Sequence, residues 1–155
     1  MHYEDIEVNG ITYRVNLLED DHGAPWEECD GHGEVSDWSH RDKRPGELIL
    51  NSDHGSKRFY DFEASMKKAK KDGWGMANPP EGATPGKILE LAVMRDYNHL
   101  KAWCDNEWHY VTVQVYPLTE DGDELVSKSE YLGGVEDSED AYIKEVALQL
   151  IGEIA

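Results

Sequence analysis

The sequence has little cysteine, little positive charge and no long apolar run. Its two cysteines, Cys29 and Cys104, cannot build a disulfide framework, so the fold must rest on a packed core, and a reducing intracellular setting is the simpler reading. No apolar stretch approaches the roughly 20 residues that cross a bilayer. Met1-His2-Tyr3-Glu4-Asp5 lacks the basic-then-apolar order of a secretory leader. Also missing are the dinucleotide glycine pattern, His-Glu-x-x-His, the EF-hand spacing and Gly-x-Ser-x-Gly. Gly55-Ser56-Lys57-Arg58 is only a fragment of a phosphate loop, without the full glycine pattern or a Lys followed by Ser or Thr.

What is present suits one domain. The chain has 155 residues, 39% of them hydrophobic and 10% aromatic, and the apolar residues fall in periodic blocks, which argues against disorder. Charge is the strongest signal: 33 acids against 15 Lys and Arg leave −18, with a pI near 4.6. Such a surface repels nucleic acid and anionic membrane and attracts basic partners, although high charge also serves plain solubility. Between Arg41 and Lys71, nine bases outnumber five acids, so one basic strip crosses an acidic molecule.

Periodicity sets the element order. Ile6 and Val8, then Ile11, Tyr13, Val15 and Leu17, alternate with polar residues around Asn9-Gly10, a hairpin signal because both turn residues accept positive φ. From about 18 to 46 nothing repeats, and Trp26 and Trp38 are expected to pin that irregular stretch to the core. Glu47 to Asn51 reads as a short strand. Asp61 caps a helix to about Asp72 that Gly73 ends, and Thr84-Pro85 opens a broad apolar helix to about Cys104. His109 to Tyr116 alternates as a strand, Leu125 to Leu132 reads as its partner, and Ser138 as the cap of a last helix. The expectation is a single α+β domain over 1–155: an antiparallel sheet of two hairpins, four to five strands, with three helices packed on one face.

Two constellations could carry function. Asp20, Asp21, His22, Cys29, Asp30, His32, Asp37 and His40 crowd the irregular stretch, and Cys29-x2-His32 has the spacing of half a zinc site. A metal held by His22, Cys29, His32 and His40 would order a polar loop. The second half of such a site is absent, and a solvated loop is the competing reading. Glycines flank His32 in Asp30-Gly31-His32-Gly33, a setting that can expose the ring to a partner or to base chemistry. The other constellation is the acid itself. Duplex DNA carries one charge per roughly 1.7 Å, so a mimic needs carboxylates from several elements on one side. Glu4, Glu7, Glu19 to Asp21, Glu27, Glu28, Glu120 to Glu124 and Glu136 to Asp140 supply enough.

Gly23-Ala24-Pro25-Trp26-Glu27-Glu28, Asp30-Gly31-His32-Gly33, Lys43-Arg44-Pro45-Gly46-Glu47, Lys71-Asp72-Gly73-Trp74-Gly75 and Trp103-Cys104-Asp105-Asn106-Glu107-Trp108 resemble segments of a family of small acidic proteins of tailed bacteriophages and prophages. The resemblance implies the cytoplasm of an infected bacterial host and, by analogy, a role against host nucleic-acid enzymes or defence systems; the family has no assigned activity, so no catalytic residues carry over from it. The expectation is a non-enzymatic phage accessory protein that binds, and inhibits, a basic nucleic-acid-handling host protein. It would touch neither nucleic acid nor membrane itself. Trp26, Glu27, Glu28, Asp30, His32 and Trp38 would make the specific contact, since charge alone steers without discriminating. No cofactor is expected. The alternative is a metal-binding domain, zinc being the candidate ion, or a metal-dependent hydrolase built on the His/Cys/Asp-rich loop.

Overall fold

The computed structural model describes all residues, Met1–Ala155. In chain order the elements are β1 (His2–Val8), β2 (Ile11–Glu19), α1 (Pro25–Glu28), β3 (Glu34–Val35), β4 (Glu47–Asp53), β5 (Ser56–Asp61), α2 (Phe62–Asp72), α3 (Pro85–Cys104), β6 (Tyr110–Pro117), β7 (Glu130–Glu136) and α4 (Asp140–Ile154). The class is α+β, as expected. The strands are divided between two antiparallel sheets, ordered β1-β2-β6-β7 and β3-β5-β4. The chain separates into two compact units, Met1–His22 with Trp108–Ala155, and Gly23–Glu107. The second is an insertion between β2 and β6 of the first.

In the outer unit, Asn9 and Gly10 take positive φ (52° and 81°) and fold β1 onto β2. β2 then pairs with β6 from Tyr13↔Pro117 to Glu19↔Val111. Tyr13, Val15, Val113, Val115 and Val135 point to one face, where they pack with Ile143, Val146, Ala147, Leu150 and Ile151 of α4. This is the only helix of eight or more residues in the outer unit.

The starts of β7 and α4 differ most from expectation. The strand expected at Leu125 to Leu132 begins at Glu130, because Leu118 bridges Glu124 and a 3-10 turn occupies Val126–Lys128. Gly133 and Gly134 lie inside β7, where the register slips between Val111 and Val113 and Gly134 takes φ 65°. There a pair of glycines marks a bulge rather than a strand end. Ser138 does not cap the last helix: α4 starts at Asp140, its N-cap is Glu139 and no side chain caps it.

In the inserted unit, β4 and β5 form a hairpin through His54 (φ 49°) and Gly55 (φ 87°). The caps read from sequence are in place. Asp61 accepts from Ala64 N–H at 2.9 Å, Gly73 ends α2 in the left-handed region, and Thr84 accepts from Lys87 N–H at 3.2 Å. Leu50, Tyr60, Ala69, Val93 and Leu100 form the core, with Trp26, Phe62, Met66 and Trp74 packed against them. The stretch expected to be irregular contains α1 and β3, and β3 joins β5.

Candidate functional site

The insertion sorts the charge. The outer unit carries 17 Asp and Glu against Arg14, Lys128 and Lys144, a net −14, whereas the inserted unit carries 16 against 12, a net −4. No acid of the outer unit is buried. Arg14 reaches two of them, Asp5 at 3.2 Å and Glu124 at 3.7 Å, and its hydrogen bonds hold Asp5 below the usual carboxylate range. The two remaining bases cannot offset the other fifteen acids.

Part of this charge lines a cavity of about 770 Å³ bordered by Glu19, Asp20, Asp21, His109 and Asp137. Two of its carboxylates are fixed by the fold. Asp20 accepts from Gly134 N–H at 2.5 Å and Thr112 Oγ1–H at 3.3 Å, and Asp137 from His109 N–H at 2.6 Å. Glycine at 133 permits the approach of Asp20, since a Cβ there would stand 3.1 Å from Oδ2. Glu19 and Asp21 are exposed at the rim. Fixed anions around a concavity of this size suit the ammonium or guanidinium group of a partner.

The residues expected to contact a partner all belong to the inserted unit. Trp26 meets Trp103 edge to face at 5.5 Å and packs on the core. The Arg58 guanidinium lies 5.1 Å from the Trp26 ring and 4.5 Å from that of Trp38, which is 40% exposed. Glu27, Glu28 and Asp30 are exposed.

His32 is drawn inward. Its Nδ1 lies 2.7 Å from Asp96 Oδ1, while Asp96 Oδ2 accepts from Gly33 N–H and from Tyr60 O–H, both at 2.8 Å. Burial and the Asp96 charge push the Tyr60 phenol far above its ordinary range. Gly33 is required here, because an added Cβ would collide with the hydroxyls of Tyr60 and Ser65. Ser65, fully buried, accepts from Glu34 N–H at 2.9 Å. Further along, Arg41 grips Glu47 through two 2.8 Å bonds and Arg44 N–H adds a third. These bonds order the stretch through the chain's own groups.

The four residues considered for zinc have separate surroundings. His22 lies in the outer unit, 4.1 Å from the Tyr110 ring. Cys29 is exposed, His32 is on Asp96, and His40 Nε2 is 2.9 Å from Ser56 Oγ. No group of three or more His, Cys, Asp or Glu side chains is arranged to hold a metal ion. Burial raises the Cys104 thiol above its ordinary range, opposite to what a nucleophile needs. No helix is long and apolar enough to cross a membrane.

Sequence reasoning missed Asp96, although a signal existed. Ala92, Val93 and Leu100, with Leu89 partly buried beside them, form the inward stripe of α3, and Asp96 interrupts it at helical spacing. A carboxylate in an apolar stripe calls for donors. No family model, no curated protein and no solved structure matches the chain.

Proposed function

We propose that the protein is a non-enzymatic acidic binder whose outer unit docks a basic, nucleic-acid-handling protein of a bacterial host and blocks it. The observation that carries this reading is the concentration of −14 of the total −18 on the outer unit. A field of that kind raises association rates with cationic surfaces by about 10–10³. Specificity would come from the cavity at Glu19, Asp20 and Asp21, where the Asp20 carboxylate, held by backbone and hydroxyl donors, would meet a Lys or Arg side chain in a fixed direction, with Glu19 and Asp21 at the rim. The bacterial setting follows from the resemblance to phage proteins, and inhibition from analogy with other small acidic phage proteins.

The charge distribution favours the outer unit as the contact over Trp26, Glu27, Glu28, Asp30, His32 and Trp38 of the inserted unit. Trp26 and His32 spend their contacts inside the inserted unit, and that unit carries little of the charge. Affinity capture from bacterial lysate, followed by mass spectrometry, names the partner. The variant Glu19→Lys/Asp21→Lys is then compared with Glu27→Lys/Glu28→Lys. The first pair should weaken capture at least about tenfold, a loss of 1.4 kcal/mol. An equal or larger loss with the second pair would return the contact to the inserted unit.

A further inference from the structure

We infer that the inserted unit holds a binding site for a small molecule bearing an oxyanion, carboxylate or phosphate, on a flat apolar body. The site is a cavity of about 440 Å³, inside the roughly 300–1,000 Å³ range of small-molecule pockets. One wall is a single stripe of α3, with Ala92, Arg95, Asp96 and His99 at helical spacing. Gly31 and the Trp74-Gly75 pair line the rest.

Each wall has a distinct chemical part. Asp96 is committed inward, since His32, Gly33 and Tyr60 occupy both its oxygens. Arg95 is exposed and makes one long contact, from Nη2 to Gly75 O at 3.5 Å. A guanidinium carries five N–H donors in a rigid fork that fits carboxylate and phosphate in pairs. Arg95 therefore retains donors for a ligand, and His99 lines the same space. Trp74, packed at the edge of the core, supplies an apolar wall for a ring. Gly31 and Gly75 are exposed, and a Cβ added at either would meet nothing within 4 Å, so packing does not close the cavity at these positions. The acidity of the chain does not forbid an anion here. The nearest opposing charge is Asp96 in the wall itself, whose two oxygens are taken up by His32, Gly33 and Tyr60. The inserted unit as a whole is only −4, and more distant charge is screened beyond about 8 Å at physiological salt.

The experiment uses the intact protein and its five tryptophan indole N–H resonances, Trp74 being assigned from Trp74→Phe. Adenosine 5′-monophosphate and benzoate test a phosphate and a carboxylate on a ring, while adenosine and inorganic phosphate test each half alone. At least one ringed oxyanion should shift the Trp74 resonance saturably with a dissociation constant below about 1 mM. Each corresponding half should bind at least about tenfold more weakly, and Arg95→Gln should reduce affinity by about tenfold or more. Unmoved signals from the other four indoles show that a variant is folded, and Arg95→Lys, which keeps charge without the fork, should also lose affinity. Saturable shifts absent with both ringed probes up to about 10 mM, unchanged affinity in Arg95→Gln and Arg95→Lys, or free phosphate binding as tightly as the nucleotide would each overturn the inference.

Discussion

At the scale of single residues, buried polar groups determine how the inserted unit is tied together. Asp96 serves three donors, so Asp96→Ala would strand Gly33 N–H and leave Tyr60 O–H only its 3.5 Å contact to Val93 O. Leaving one such group unsatisfied costs about 1–3 kcal/mol. The expected result is a fall in unfolding free energy of at least that size, measured in urea, with faster proteolysis between Gly23 and Gly46. Asp96→Asn keeps an acceptor and should lose less. Glu47 gives a pH prediction. The Arg41 hydrogen bonds, helped by Arg44 N–H, lower its pKa from 4.5 to about 2. A group with a depressed folded pKa binds fewer protons folded than unfolded, so its contribution is complete above about pH 4.5 and disappears as pH falls toward 2. Wild-type protein should lose stability relative to Glu47→Gln across that window, and the two should run parallel above it. Asp96 itself was legible as a charge in the apolar stripe of α3. Its three donors were not, because they come from β5 and from a stretch without periodicity.

At the scale of elements, local signals read true where a side chain meets its own backbone. Asn9-Gly10, Asp61, Gly73 and Thr84-Pro85 each satisfy or bend the chain within a few residues, and each is found at its expected turn or cap. The signals failed where a distant strand decides. The strand expected over Leu125 to Leu132 runs instead over Glu130–Glu136, through Gly133-Gly134, where pairing with β6 and the approach of Asp20 make a bulge. Ser138 looks like a cap, yet α4 begins two residues later with no side-chain cap. Glu139→Ser should therefore supply one and raise stability by about 0.5–2 kcal/mol. A denaturation midpoint that does not move would show that the first turn of α4 is satisfied in another way. α4 also seals the face of the four-stranded sheet, and Leu150 is only 3% exposed in that core. Leu150→Ala should cost about 2–5 kcal/mol, read as a lower midpoint with unchanged slope.

At the scale of the whole molecule, the insertion is the feature that sequence order hides. β2 and β6 pair along their length although the chain between His22 and Trp108 forms another compact unit, so the acids of both chain ends belong to one unit. A linear count finds a basic strip in an acidic chain. Division by units finds −14 and −4, and the proposed docking follows from that asymmetry. The measurement that tests it most directly is the affinity of the captured partner as a function of salt, for the wild type and the two double lysine variants. The account predicts a steep fall in affinity between about 50 and 200 mM salt, where the screening length approaches 8 Å. It also predicts a flatter, weaker curve for Glu19→Lys/Asp21→Lys and a wild-type curve for Glu27→Lys/Glu28→Lys. Affinity indifferent to salt, or a wild-type curve from the outer-unit variant, would contradict it.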